Sequence, residues 1–336
     1  MVMTMSSGAI DRFEEATEPY RREVLAHCYR MTGSVHEAQD LVQDTYLRAW
    51  RAFDRFEGRS SIRTWLYRIA TNVCLTSLDR SSRRPLPSGL GPPSTDPYAP
   101  TEPATVDAAW IEPLPDRLGM DEGADPAELA VARETLRLAL VAAAQILTPR
   151  QRAAFFLCDV LGRPAIEAAE VLDVSIAAVK SLLQRARTRL DRESLTDDEF
   201  AEPADEGARR VLDRYMSAFE RSDMAEIERL LVDDAILEMT GTTTWFSGKA
   251  TCAPFIAAQA IGHPGDWRMI PLHANGQLAA AAFHFGEDGA YHSFAIVVIA
   301  TTSTHITRIS LFAQPELFTQ FDLPTTMIIG QGSADS

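Results

Sequence analysis

From residue 9 to residue 79 the large apolar positions recur every three or four residues, the period of helices that bury one face. Tyr20, Val24, His27 and Met31 make the first stripe, which stops at Gly33. Ala38, Leu41, Val42, Thr45 and Ala49 make the second, with Ser34 placed to cap it. Ile62, Trp65, Leu66, Ile69, Val73 and Cys74 make the third, with Ser60 or Ser61 as its cap. Three helices of this kind predict a small bundle over residues 9–84.

The rhythm then fails. PLPSGLGPPSTDPYAPTEPATVDAAWIEPLPDRLGMDEGADP is dense in proline, glycine and acids and cannot bury enough surface to fold alone. Residues 85–128 therefore read as an acidic linker, in which Trp110, Ile111 and Leu114 form an apolar strip suited to docking on a partner surface. Periodicity returns over 129–192. One amphipathic helix is expected from Leu129 to Leu147, and Thr148-Pro149-Arg150-Gln151 is a capping box that opens the next. Two short helices follow, Pro164 to Leu172 and Ser175 to about Leu190, joined by the tight turn LDVS. An acidic linker occupies 193–207, and over 208–325 the pattern changes to two helices followed by alternating runs such as WRMIPLHANGQLAAAAFHFG and YHSFAIVVIAT. Helices followed by a mostly antiparallel sheet predict a separate α+β domain. The final GQGSADS reads as disordered.

Charge changes the picture because it is modular. The whole chain of 336 residues carries a formal net charge of -15, yet residues 130–192 hold 10 Lys and Arg against 6 Asp and Glu. Residues 193–336 hold 8 against 21. An acidic protein thus concentrates cations on the short helices around Lys180. Cys28, Cys74, Cys158 and Cys252 stand far apart with no metal or redox spacing, and their apolar contexts suit buried thiols in a reducing, cytoplasmic compartment. No cofactor or metal set is expected, and no segment reaches the length of a membrane helix.

The two helices around LDVS have the form of a helix-turn-helix, whose second helix enters the DNA major groove. Val179, Leu182, Leu183 and Ala186 form its inner stripe. Ser175, Ala177, Lys180, Ser181, Gln184, Arg185, Arg187 and Arg189 are left to face DNA, with arginine best shaped for phosphate or guanine. LTPRQRAAFFLCDVLGRPAIEAAEVLDVSIAAVKSLLQRARTRL resembles region 4 of the sigma-70 family of bacterial RNA polymerase specificity subunits, in its extracytoplasmic-function group. Pro164-Ala165 replaces the family's usual Ser-Tyr, and Asp173 replaces its turn glycine, a change that the left-handed tolerance of Asp accommodates. That resemblance implies recognition of the promoter's -35 element.

CYRMTGSVHEAQDLVQDTYLRAWRAFDRFEGRSSIRTWLYRIATNVCLTSLDR is similar to region 2 of the same family. The likeness implies that Asp40, Gln43, Asp44 and Arg48 dock on core RNA polymerase, which the family engages through its β′ and β subunits. Asp40 and Asp44 are like charges four residues apart, a mild liability that a cationic partner would relieve. It also implies that Arg59, Ser60, Ser61, Arg63, Tyr67, Arg68, Asn72 and Arg80 capture the opened -10 element, while Trp65 falls on the apolar stripe and reads as core.

The C-terminal part resembles the SnoaL-like division of the NTF2-like cone fold. The fold class expected is multidomain: two all-α sigma modules and a C-terminal α+β cone. The cone resemblance implies a pocket lined by Tyr215, Trp245, Phe246, His273, His284, Phe285, Tyr291 and His292. The combination resembles the C-terminally extended, actinobacterial sigma-G type, in which WIEPLP is similar to a linker motif and the extra domain is expected to contact the sigma modules or their linker. These likenesses predict a non-catalytic promoter-specificity factor that binds polymerase and promoter DNA, with no membrane partner. An anti-sigma protein is not assigned by any of these residues. Two other readings stay open here: a DNA-targeted sensor or enzyme that uses the cone pocket, and a helix-turn-helix regulator independent of polymerase.

Overall fold

The computed structural model describes residues 7–79, 83–104, 109–121, 123–192 and 205–328, and divides the chain into two compact units. One joins residues 1–84 to 117–195, and the other joins residues 85–116 to 196–336. Arg80, the acidic run 193–204 and the final GQGSADS lie outside the described residues.

The first unit is all helix. It opens with α1 (Ser7–Thr17), α2 (Arg21–Thr32), α3 (Val35–Ala52) and α4 (Ile62–Leu78). It continues, after the single turn α5 (Asp116–Gly119), with α6 (Pro126–Leu136), α7 (Leu138–Ala144), α8 (Pro149–Phe155), α9 (Ala165–Leu172) and α10 (Ile176–Arg192). Local chemistry sets the ends. Gly33 stops α2 in the left-handed region at φ 72°, its N–H on the Tyr29 carbonyl. Ser34 and Ser61 cap α3 and α4 by accepting from the Glu37 and Thr64 amides. Both halves of the Thr148–Gln151 capping box are formed.

The single helix expected over Leu129–Leu147 is a correction: the chain breaks at Arg137, which is extended at ψ 134°. The carbonyl of Thr135 is taken by Arg30, whose Nε donates to it at 3.2 Å while Nη2 donates to the Thr135 hydroxyl at 2.6 Å. A neighbouring helix thus replaces the hydrogen bond that a continuous helix would supply.

The core of this unit holds polar groups that sequence period does not reveal. His27 is fully buried, with Nε2 on Thr71 Oγ1 at 2.9 Å, and burial together with Arg30 and Arg163 lowers its pKa to about 3. An unfolded histidine takes its proton near pH 6.5, so stability from this group is complete above that pH and is lost as pH falls toward 3. We expect wild type to lose about 2–3 kcal/mol more than His27→Gln between pH 7.5 and 4.5, read as the difference in urea unfolding free energy. Cys28 and Cys74 meet in the same core, and their thiol hydrogen bond plus burial raises Cys74 well above the ordinary thiol range.

The second unit is α+β. After α11 (Glu206–Glu220) and α12 (Met224–Leu230) come β1 (Leu231–Met239), β2 (Trp245–Ser247), α13 (Lys249–Phe255), β3 (Trp267–Ala274), β4 (Gln277–Phe285), β5 (Ala290–Thr301), β6 (Ile306–Phe312), α14 (Glu316–Gln320) and β7 (Thr326–Ile328). The sheet order is β2-β1-β6-β5-β4-β3, with β7 added on β5. Only β1 and β6 among these pairs run parallel. Asn275 and Gly276, both at positive φ, make the tight β3–β4 hairpin. Register shifts at Ala282/Phe283 and Ala300/Thr301 bend the sheet. Leu278, Ala280, Ala282, Val297 and Ile299 meet α11 and α13 in one core, and Phe283 meets Phe318 of α14 on the opposite face. This is the curved sheet and helix cover expected of a cone.

Residues 85–116 of the Pro/Gly-rich segment belong to this second unit, and the rest to the first. Trp110, Ile111 and Leu114 are buried. Its backbone pairs along the sheet, with Pro103 bridged to Thr242 and Pro115 to Ala274. Among the described residues, no helix is long and apolar enough to cross a membrane.

Candidate functional site

Three surfaces and one cavity carry the candidate chemistry. On α3, burying Ala38, Leu41, Val42, Thr45 and Tyr46 turns Asp40, Gln43, Asp44 and Arg48 outward together. Asp44 accepts from Arg48 at 3.1 Å. Leu47, 52% exposed, stands in the same patch, an apolar contact point that the acidic spacing did not single out.

On the helix-turn-helix, Asp173 takes the left-handed conformation at φ 53°, so Asp does the work of the missing glycine. The Ser175 hydroxyl accepts from the Ala178 amide and starts α10. Val179, Leu183, Ala186 and Leu190 are buried, which leaves Ser175, Ala177, Lys180, Ser181, Gln184, Arg185, Arg187 and Arg189 exposed on one face. Arg187 is held by Asp159 at 2.8 and 2.6 Å. The other cations of that face remain directed to solvent.

The third surface, on and before α4, is less open than expected. Arg59, Ser61, Arg63, Arg68 and Asn72 are exposed and Ser60 half-buried, with Ser61 spent on its cap. Tyr67 is a correction: it is fully buried, its hydroxyl donates to Glu23 at 3.1 Å, and Arg163 lies over its ring at 4.4 Å. It cannot stack on a base while α4 is covered on that side by α2 and α9. Trp65 is half-buried against Phe56 and Phe53, as its place on the apolar stripe implied.

Glu23 is the centre of a cluster that sequence reasoning missed. It accepts from Arg63 Nε at 2.7 and 3.0 Å and from Tyr67, and it lies 3.7 Å from Arg163 of the loop before α9. Arg152 of α8 is 4% exposed and donates to the carbonyls of Ala144, Gln145, Leu147 and, across the unit, Met31. Burial lowers its pKa to about 10 and leaves it charged at neutral pH. Arg68 of α4 lies 4.0 Å from Asp173 in the helix-turn-helix turn. The first three-helix module and the helix-turn-helix module are therefore clasped together.

In the second unit, residues 85–104 and 109–116 run as a strap along the sheet. The Leu114 amide donates to Asn275 Oδ1 at 2.9 Å and the Asn275 amide to the Leu114 carbonyl at 2.9 Å. The Gly276 amide donates to Asp116 Oδ1 at 2.8 Å, so the β3–β4 turn grips the strap at its end. Farther back, the Glu102 carbonyl accepts from the Thr243 amide and the Glu102 amide donates to the Thr244 hydroxyl, and the Ser88 amide donates to Glu238. Glu238 is itself 1% exposed and balanced by Arg308 at 3.0 Å and Ser310 at 2.8 Å.

A cavity of about 650 Å³ opens between α11, α13 and the sheet, and Tyr215, His284 and His292 are on its lining. Trp245, His273 and Tyr291 are corrections. Trp245 sits on edge strand β2 and donates its indole N–H to the Gly91 carbonyl of the strap. His273 is exposed near the far end of β3, beyond the cavity. The Tyr291 hydroxyl donates to the Gly265 carbonyl at 2.8 Å, its ring against Phe285. Phe246 packs on Phe255 at 4.5 Å in the core. Among the described residues, no group of three His, Cys, Asp or Glu side chains is placed to hold a metal ion.

Comparison with known proteins identifies the two helical modules. Residues 17–84 match Sigma-70 region 2 and residues 137–190 match Sigma-70, region 4. The chain is 46% identical over 318 residues to the ECF RNA polymerase sigma factor SigG of Mycobacterium tuberculosis, covering 94% of this chain and 85% of that protein. It is 30% identical over 236 residues to SigJ of the same organism, covering 70% of this chain and 66% of that protein. The crystal structure of SigJ shares the fold, with a TM-score of 0.59 at 24% identity over 94% of this chain and 99% of that one.

Proposed function

Because the chain belongs to the extracytoplasmic-function sigma factors, which direct RNA polymerase to promoters, we propose that it is a sigma factor held closed by its own linker and C-terminal domain. The sigma role is regulatory; the polymerase supplies the chemistry. In this reading the Asp40–Arg48 face of α3 receives core polymerase. The exposed face of α10 reads the -35 element, and α4 with the loop before it holds the opened -10 element.

The observation that carries the closed state is the 4.0 Å approach of Arg68 to Asp173, supported by the Glu23–Arg163 contact. Elements about 25 base pairs apart on B-DNA are separated by roughly 85 Å at about 3.4 Å per base pair. The α4 and α10 faces cannot serve both while α4 lies against α9. The chain that must extend between the two readers is residues 85–116, and that chain is tied along the cone sheet. Opening needs polymerase or another ligand to favour the parted form by differential affinity, since equal affinity shifts nothing.

Run-off transcription with core polymerase tests this reading by comparing the full chain with residues 1–192. Removing the cone releases the strap, and we expect several-fold more transcript at limiting sigma concentration. Equal activity, polymerase affinity and promoter choice for the two forms would remove the closed-state reading.

A further inference from the structure

The cone cavity has the build of a ligand site whose occupant nothing above assigns. At about 650 Å³ it falls in the range of small-molecule pockets, roughly 300–1,000 Å³. Phe219, Trp267 and Val297 make its walls apolar, and its lining contains no Asp, Glu, Lys or Arg. Of the polar side chains on the lining, Tyr215 is the buried one. Tyr215 of α11 is 2% exposed, lines the cavity, and its hydroxyl makes no hydrogen bond to any described residue. Burial alone pushes its phenol above the ordinary range, so at neutral pH it keeps its proton and can donate to a molecule in the cavity. A ligand acceptor would give this hydroxyl a hydrogen bond worth about 0.5–1.5 kcal/mol net.

The mouth adds a second feature. After α13 the chain makes a π-helical turn, Ile256–Ala260, of the kind that recurs at functional sites. Gln259 of this turn lines the cavity, and its amide donates to the Pro97 and Ala99 carbonyls of the strap, both at 3.0 Å. Ala260, next to it, accepts the Trp267 indole N–H at 3.1 Å and ties the turn to the cavity wall.

We infer that the cavity binds a neutral, largely apolar small molecule whose carbonyl oxygen accepts from Tyr215, and that its occupancy loosens the linker through Gln259. The carbonyl accepts from the buried hydroxyl, and a lining with His263, His284 and His292 but no Asp, Glu, Lys or Arg offers no permanent charge to hold an ion. A molecule filling the mouth crowds the Gln259 amide, so ligand and docked strap oppose each other, and by linkage the opposition is reciprocal. The coupling rests on the closed-state reading; the binding does not.

The test uses the full chain and the neutral fluorescent ketone Prodan, with a dimethylaminonaphthalene lacking the carbonyl as comparison. Saturable binding of Prodan is expected, weakened about 3–10-fold by Tyr215→Phe, the worth of one hydrogen bond. The carbonyl-free comparison should bind both forms alike, and Ala282→Val, which narrows the cavity, should weaken both probes. Prodan should also speed proteolysis near residues 97–99 in wild type and leave Gln259→Ala unaffected. Unsaturable binding, or equal Prodan affinity in wild type and Tyr215→Phe, overturns the site. Binding without any change in strap cleavage overturns the coupling alone, a result separable from the run-off comparison because no polymerase is present.

Discussion

Replacing Asp40 and Asp44 together, as Asp40→Lys with Asp44→Lys, should abolish capture of core RNA polymerase. Both carboxylates are exposed on one face of α3, so neither supports the packing that holds the helix in place. Their mutual repulsion and the Asp44–Arg48 pair at 3.1 Å are each worth a few tenths of a kcal/mol in a solvated helix. Folding should therefore be nearly unchanged. At an interface the balance differs, because close complementary charges couple by roughly 1.5–7 kcal/mol and reversal turns attraction into repulsion. A loss of at least about 100-fold in polymerase affinity follows, read by pull-down and by a competition assay. Binding of a -35 duplex by α10 should survive, since Lys180 and Arg185 lie on another module. Capture at wild-type strength would show that this face is not the docking surface and would revive the reading of an independent helix-turn-helix regulator.

What the sequence makes legible is what is local. Ser34, Ser61, the Thr148–Gln151 box and Gly33 act within one helical turn, and each stands where the pattern places it. The outward face of α10 follows from four buried positions at helical spacing. Contacts between distant segments leave no such trace. Glu23 and Arg163, Arg30 and Thr135, and Arg152 and Met31 are each more than a hundred residues apart, and nothing near any of them marks a partner. Tyr67 escapes the pattern for the same reason: helical spacing assigns one buried face, whereas α4 is packed on two sides. His273 shares the strand face of Trp267 and Met269, but period two says which side a residue takes and not how far the helix cover extends. The strap is an intermediate case. Its proline content excludes a helix, and Trp110, Ile111 and Leu114 announce burial, yet the Asn275-Gly276 turn that bonds the Leu114 backbone is read from sequence only as a hairpin.

That turn supplies the second large effect. Trp110→Ala combined with Leu114→Ala should free the strap from the cone and raise transcription by the full chain toward that of residues 1–192. Leu114 is fully buried and Trp110 is 6% exposed. Deleting buried side chains of this size costs about 2–5 kcal/mol for leucine and about 3–5 for tryptophan, and neighbours do not add in full. Taking about 4 kcal/mol for the pair, the ratio of docked to undocked strap falls by roughly a thousandfold. Proteolysis within residues 85–116 should accelerate toward that factor, because cleavage tracks the open population when opening is fast. The cone itself should keep its melting transition, since its core is built from α11, α13 and the sheet. Asn275→Gly is the milder companion: glycine keeps the positive φ of 57° and removes the buried side chain whose Oδ1 accepts from the Leu114 amide, a bond worth about 1 kcal/mol. Its effect should have the same sign and be about a hundredfold smaller. A strap that becomes cleavable without any gain in transcript would separate docking from regulation, and the linker would then be a tether and not a restraint.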